Sequence, residues 1–200
     1  MKTFRITAVL LALLLANIST AQTAQQVLDK AAAIIVRKGG ASANFSVSGA
    51  KYGSTSGSIA IKGKKFFAST PEAKVWFDGK TQWSYMKNTE EVNISTPTQA
   101  AQMSMNPYTF VSIYKTGYTT TMKTVNGNYE IHLVAQNQKR TVQELYITVS
   151  KSYILRQIKM RQGKSWTTIN VSNFKGKDQN DAIFRFPSKD YPHAEVIDLR

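Results

Sequence analysis

The chain of 200 residues contains no cysteine. That excludes a disulfide framework, a thiolate metal site, a thiol nucleophile and a lipid-modified N-terminal cysteine. Acidic residues are scarce, with 12 Asp and Glu against 26 Lys and Arg, a formal charge of +14. Such a balance attracts anionic partners, but the basic residues are scattered, which argues against a nucleic-acid interface. Long apolar runs are confined to the N-terminus. There Lys2 and Arg5 precede the apolar stretch from Ile6 to Ala16, and Ser19 and Ala21 follow with cleavage spacing. The stretch is well short of the roughly 20 residues needed to cross a bilayer. The pattern predicts a secretory signal peptide over residues 1–21 and one exported, monomeric domain over residues 22–200.

Hydrophobic residues make up 42% of the chain, too many for a disordered one. Ala24, Val27, Leu28, Ala31, Ile34 and Ile35 recur with helical spacing until Gly39-Gly40. From Ala41 the period drops to two. Phe45 with Val47, Ile59 with Ile61, Val75 with Phe77, Trp83 with Tyr85 and Val92 with Ile94 alternate with polar residues between turn signals such as Asp78-Gly79. A second helical patch follows Thr96-Pro97, with Met103, then Phe110, Val111 and Tyr114 on one face, and Gly117 ends it. The alternation resumes through Tyr118 and Met122, the hairpin signal Asn126-Gly127, and the pairs Ile131 with Leu133 and Leu145 with Ile147. Ile158, Met160, Ile169 and Val171 continue it, and Ile183 to Phe186 reads as the last strand. About ten or eleven short strands and two helical patches define a mainly β, α+β class: an antiparallel sheet or partial barrel covered by helices.

Catalytic patterns are missing. His132 alternates with apolar neighbours in a strand, His193 lies in a polar tail, and neither has a partner at metal-ligand spacing. No nucleophile elbow or phosphate-binding glycine loop occurs. Neither an enzyme nor a metal or other cofactor is expected. Lys62, Lys64 and Lys65 cluster at one turn, suited either to solubility or to docking at an anionic membrane or acidic partner.

Several short motifs occur together in order. Ala43-Asn44-Phe45-Ser46 and Gly57-Ser58-Ile59-Ala60-Ile61-Lys62 are followed by the hairpin Phe77-Asp78-Gly79-Lys80-Thr81-Gln82-Trp83-Ser84-Tyr85. Glu91-Val92-Asn93-Ile94, Asn106-Pro107 with Phe110, and Phe184-Arg185-Phe186-Pro187 complete the set. In these the chain resembles the LolA-like periplasmic carriers that move lipoproteins to the outer membrane. The resemblance implies an unclosed half-barrel whose concave apolar face holds acyl chains of a lipoprotein. Its cavity would be lined by Phe45, Val47, Ile59, Ile61, Phe67, Val75, Phe77, Trp83, Tyr85, Val92 and Ile94, with Ile131, Leu133, Leu145 and Ile147 across from them. Lids would come from Val27, Leu28, Ala31, Ile34 and Ile35 and from Met103, Phe110, Val111 and Tyr114. It also implies an inner-membrane lipoprotein-releasing transporter and an outer-membrane acceptor as partners. One departure stands out. The family's Arg-Pro at the end of the second strand, which latches the lid, is replaced by Lys62-Gly63-Lys64-Lys65, and Arg156 shares strand parity with inward-facing Ile158. The alternative function is a lipid-binding or envelope-stress sensor module on the same fold. A small outer-membrane barrel fits poorly, because helical patches interrupt the strands.

Overall fold

The computed structural model describes residues 22–50, 53–97 and 113–200. The expected leader, residues 1–21, lies outside the described residues, as do Met103, Phe110 and Val111.

Helix α1 (Ala24–Ile35) begins with a capping box. The Thr23 hydroxyl accepts from the Gln26 N–H at 3.2 Å, and the Gln26 side chain accepts from the Thr23 N–H at 3.0 Å. Val27, Leu28, Ala31 and Ile35 form its buried face, as the helical spacing predicts, while Ile34 is half-buried at the margin.

Strands β1 (Ala41–Gly49), β2 (Gly53–Lys62), β3 (Lys65–Ser69), β4 (Ala73–Phe77), β5 (Gln82–Met86) and β6 (Glu91–Ser95) follow as a meander. A 3-10 turn, Ile113–Lys115, is the described part of the second helical patch. It leads into β7 (Tyr118–Val125), β8 (Asn128–Ala135), β9 (Glu144–Ser150), β10 (Leu155–Gln162) and β11 (Ser165–Lys175). Both meanders join through antiparallel pairing of β1 with β11, and β12 (Glu195–Asp198) adds to β6 in parallel. The result is one 12-stranded sheet ordered β12-β6-β5-β4-β3-β2-β1-β11-β10-β9-β8-β7. It does not close on itself, so the fold is an open half-barrel.

Two sequence expectations give way here. Ile183 to Phe186 is not the last strand. Asn180 accepts from the Ala182 N–H and starts a 3-10 turn, Asp181–Phe184, which drops Phe184 into a fully buried site. The final strand is β12, further on. Arg156 does not point inward either. The register between β10 and β9 shifts between Leu155 and Gln157, so Arg156 is the extra residue of a bulge and is exposed.

The core on the helix side of the sheet runs from α1 through Tyr118, Ile131, Leu133, Leu145, Ile147, Ile158 and Met160. Ile147 is fully buried, and its paired neighbours Ile131 and Ile158 are too. Replacing Ile147 by Ala should therefore cost about 2–5 kcal/mol, read as a lowered denaturation midpoint with an unchanged slope.

Candidate functional site: an apolar face beneath the helix

Directly paired residues on antiparallel strands share a face of the sheet, so the register assigns every strand side chain. Starting from β4, Phe77 pairs with Phe66 of β3, and their rings lie 5.5 Å apart. Phe66 pairs with Ile61 of β2, which pairs with Ala41 of β1. One step along, Val75 meets Ala68, Ala68 meets Ile59, and Ile59 meets Ala43. Phe45 and Val47 sit beside Val171 and Ile169 of β11, and Ile169 sits beside Ile158. Across β9 and β8 the row continues through Ile147 with Ile131 and Leu145 with Leu133. These residues make one continuous apolar face from β4 to β8.

The face stops at β5. Phe77 pairs with Gln82, which pairs with Ser95, and Val75 pairs with Ser84, which pairs with Asn93. The helix side of β5 and β6 is therefore polar. Phe67, Trp83, Tyr85, Val92 and Ile94, expected in the same cavity, point the other way. Phe67 pairs with Trp76, Trp76 with Trp83, Trp83 with Ile94, and Tyr85 with Val92. The cause is the length of the Asp78 turn. Its carboxylate accepts from the N–H groups of Lys80 and Thr81, Gly79 takes a φ of 101°, and Phe77 is set opposite Gln82 rather than Trp83. The outward aromatics form a second core under the C-terminal segment. Trp76 is 5.4 Å from Phe186 and 5.8 Å from Tyr191, and Tyr85 lies 4.6 Å from Tyr191.

Burial divides the helix-side face. Ile131, Leu133, Leu145 and Ile147 are fully covered, and α1 packs over β7 and β9. Towards the other arm, Ile59, Ile61 and Phe77 are buried, while Phe45, Val47, Val75, Ile169 and Val171 are only half-buried. Ala68, Ile169 and Val171 belong to this face without being among the cavity residues expected from the sequence; alternation with Thr168, Asn170 and Ser172 marks the last two, whereas Ala68 follows Phe66-Phe67 in an apolar run.

Tyr114 is buried, and its hydroxyl donates to the Asp29 carboxylate on α1, tying the segment before β7 to the helix. Burial, then the Asp29 hydrogen bond and charge, raises the Tyr114 pKa far above the ordinary 10.0. The lysine cluster is largely committed. Lys62 and Lys65 bind the Asp181 carboxylate at 3.3 and 3.0 Å, and Lys62 also donates to the Gln179 carbonyl. Hydrogen bonds from Lys65 and Lys62 hold the Asp181 carboxyl below its usual range. Lys64 is exposed and makes no such pair among the described residues. On the opposite face of β8–β10, Glu144 accepts from Arg161 and Tyr146 and contacts His132 at 2.9 Å. Burial works to raise the Glu144 pKa, but the bonds from His132, Arg161 and Tyr146 outweigh it and leave the carboxyl below its usual range. No group of His, Asp and Glu suited to a metal occurs among the described residues.

An open half-barrel with an apolar face under a helix defines a class of binding scaffold. Residues 14–164 match the family model described as outer membrane lipoprotein carrier protein LolA, and the chain belongs to that family as a divergent member. No curated protein matches the sequence. An uncharacterized conserved protein from Thermus thermophilus is similar in structure, with 14% identity, a TM-score of 0.58, and coverage of 88% of this chain and 99% of that one. A LolA superfamily protein from Nitrosomonas europaea matches at 13% identity and a TM-score of 0.46, over 84% of this chain and 100% of the other.

Tyr114 gives a direct test of its contact with the helix. A raised folded-state pKa means that the unfolded chain loses this proton first, so the contribution to stability is complete below pH 10.0 and falls as pH rises above it. Tyr114→Phe should flatten that alkaline loss in denaturation curves taken at stepped pH. An unchanged pH slope would place the titration elsewhere.

Proposed function

We propose that the protein is an extracytoplasmic carrier that shelters lipoprotein acyl chains on the helix-side face and shuttles them between the inner and outer membranes. The observation that carries this reading is the half-buried apolar strip Phe45, Val47, Val75, Ile169 and Val171, most of it packed against the core, while α1 has its main contacts on β7 and β9. Membership of the lipoprotein carrier family supports it. Burying a CH₂ is worth ~0.8 kcal/mol, so one chain of roughly 14 carbons gains on the order of 11 kcal/mol. In this reading Met103, Phe110, Val111 and Tyr114 belong to the covering lid, and cargo displaces it from the strip. A releasing transporter and an accepting membrane protein complete the cycle.

Val75→Glu tests the reading. The side chain is half-buried, so an added carboxylate can reach water in the empty protein but meets hydrocarbon in the loaded one. Binding of a fluorescent triacylated lipopeptide should weaken by at least about tenfold while thermal unfolding stays near that of the parent. Unchanged lipopeptide binding would remove the strip from the site. Mass spectrometry of co-purifying lipid separates the functions: acylated lipoprotein supports the carrier, and free phospholipid alone supports a lipid-binding module.

Docking through the lysine cluster needs a single change. Reversing Lys62 or Lys65 would also release Asp181, so Lys64→Glu is the informative variant. If the cluster docks at an anionic surface, this change should weaken binding to anionic vesicles, and added salt should weaken the parent in the same way. Salt-independent binding that survives the change would leave Lys64 as solubilising surface.

A further inference from the structure

On the side opposite the helix, β11, β1, β2 and the turn after β3 surround a groove of about 500 Å³. This volume is within the usual range for small-ligand sites, roughly 300–1,000 Å³. Its polar lining includes Asn44, Ser56, Ser58, Ser69 and Ser172, whose side chains make no hydrogen bond among the described residues. Asn170 is oriented, accepting from Gln157 at 2.8 Å and donating to Ser46 at 3.3 Å, which leaves the Ser46 hydroxyl proton free to donate. The rim turn is fixed by Thr70, whose hydroxyl accepts from the N–H groups of Glu72 and Ala73, and Pro71 adds an apolar contact surface.

The chemistry narrows the ligand. No charged side chain lines the groove, although the chain carries 26 Lys and Arg. An anion would call for one of them, and a metal for carboxylates or imidazoles. An added peptide strand would have to pair with Gly53–Gly57 of β2, which lack a partner on the β3 side among the described residues, and would leave the side chains of Asn44 and Ser46, on a strand paired on both sides, unused. Hydroxyls and amides that both donate and accept, beside a small apolar surface, match a neutral polyhydroxylated molecule. We propose that this groove is a saccharide-binding site on the side of the sheet opposite the acyl-binding strip, which it adjoins at Phe45.

The test titrates the purified protein with a neutral N-acetylglucosamine tetrasaccharide and, in parallel, with maltotetraose, following heat and amide NMR shifts. Saturable binding that is insensitive to salt and shifts residues of β1, β2 and β11 is expected. Preference between the probes distinguishes an amino-sugar glycan from a plain glucan. Ser58→Lys, which fills the groove from an exposed position, should weaken binding about tenfold or more, while Lys159→Ala outside it should have no effect. Should Ser58→Lys fail to fold, Asn44→Ala with Ser172→Ala removes only exposed hydrogen-bonding groups and should weaken binding in the same direction. No saturable binding of either sugar, or binding that groove variants leave unchanged, overturns the proposal.

Discussion

The Asp78 carboxylate, holding the N–H groups of Lys80 and Thr81, sets the alternation on which both faces of the N-terminal arm depend. Strand side chains alternate with period two, so one residue more or less in this turn would exchange inside and outside for everything after it. With Phe77 opposite Gln82, Trp76 and Trp83 face the C-terminal segment together. The apolar face under the helix then ends against Gln82, Ser84, Asn93 and Ser95. The same turn thus bounds the candidate site and builds the seat for Phe186 and Tyr191.

The C-terminal segment completes this arrangement from outside. Asp181 is gripped by Lys62 and Lys65, Phe184 is fully buried, and β12 pairs with β6. The exposed pairs with Asp181 contribute little energy alone. Burial of Phe184 and Trp76 supplies the larger share, at about 1.5–3 kcal/mol for a side chain of this kind. Two of the lysines that suggested a docking patch therefore serve the fold as well.

How far the sequence could be read follows from the range of each signal. The α1 stripe, the Asn126-Gly127 hairpin and the antiparallel meander depend on neighbours within a few residues, and the structure matches them. Face assignment across Asp78-Gly79 depends on which residues pair, and spacing within each strand leaves that open. One local clue exists: Val75-Trp76-Phe77 is an unbroken apolar run, the mark of a strand covered on both sides. Parity misplaces Arg156 for a related reason, because a bulge breaks the alternation without any signal in the residue itself. Lys62 and Lys65 meet Asp181 across more than a hundred residues of chain, a contact that no local pattern encodes.

The extent of the apolar strip bears on reversibility under the carrier reading. From β11 across β1, β2 and β3 to β4 there are four strand spacings of about 4.8 Å, or roughly 19 Å. An acyl chain reaches about half of a bilayer's ~30 Å hydrocarbon core, near 15 Å. One chain laid across the strands is therefore accommodated before the polar side of β5 begins. Full burial of two chains, on the order of 22 kcal/mol, would exceed the practical ceiling of affinity, about 21 kcal/mol, and cargo so held would not be released. A strip that is only half-buried, limited by Gln82 and Ser84 at one side and by α1 over β7 and β9 at the other, keeps binding below that ceiling. The polar boundary set by the Asp78 turn is then as necessary to a carrier as the apolar face itself.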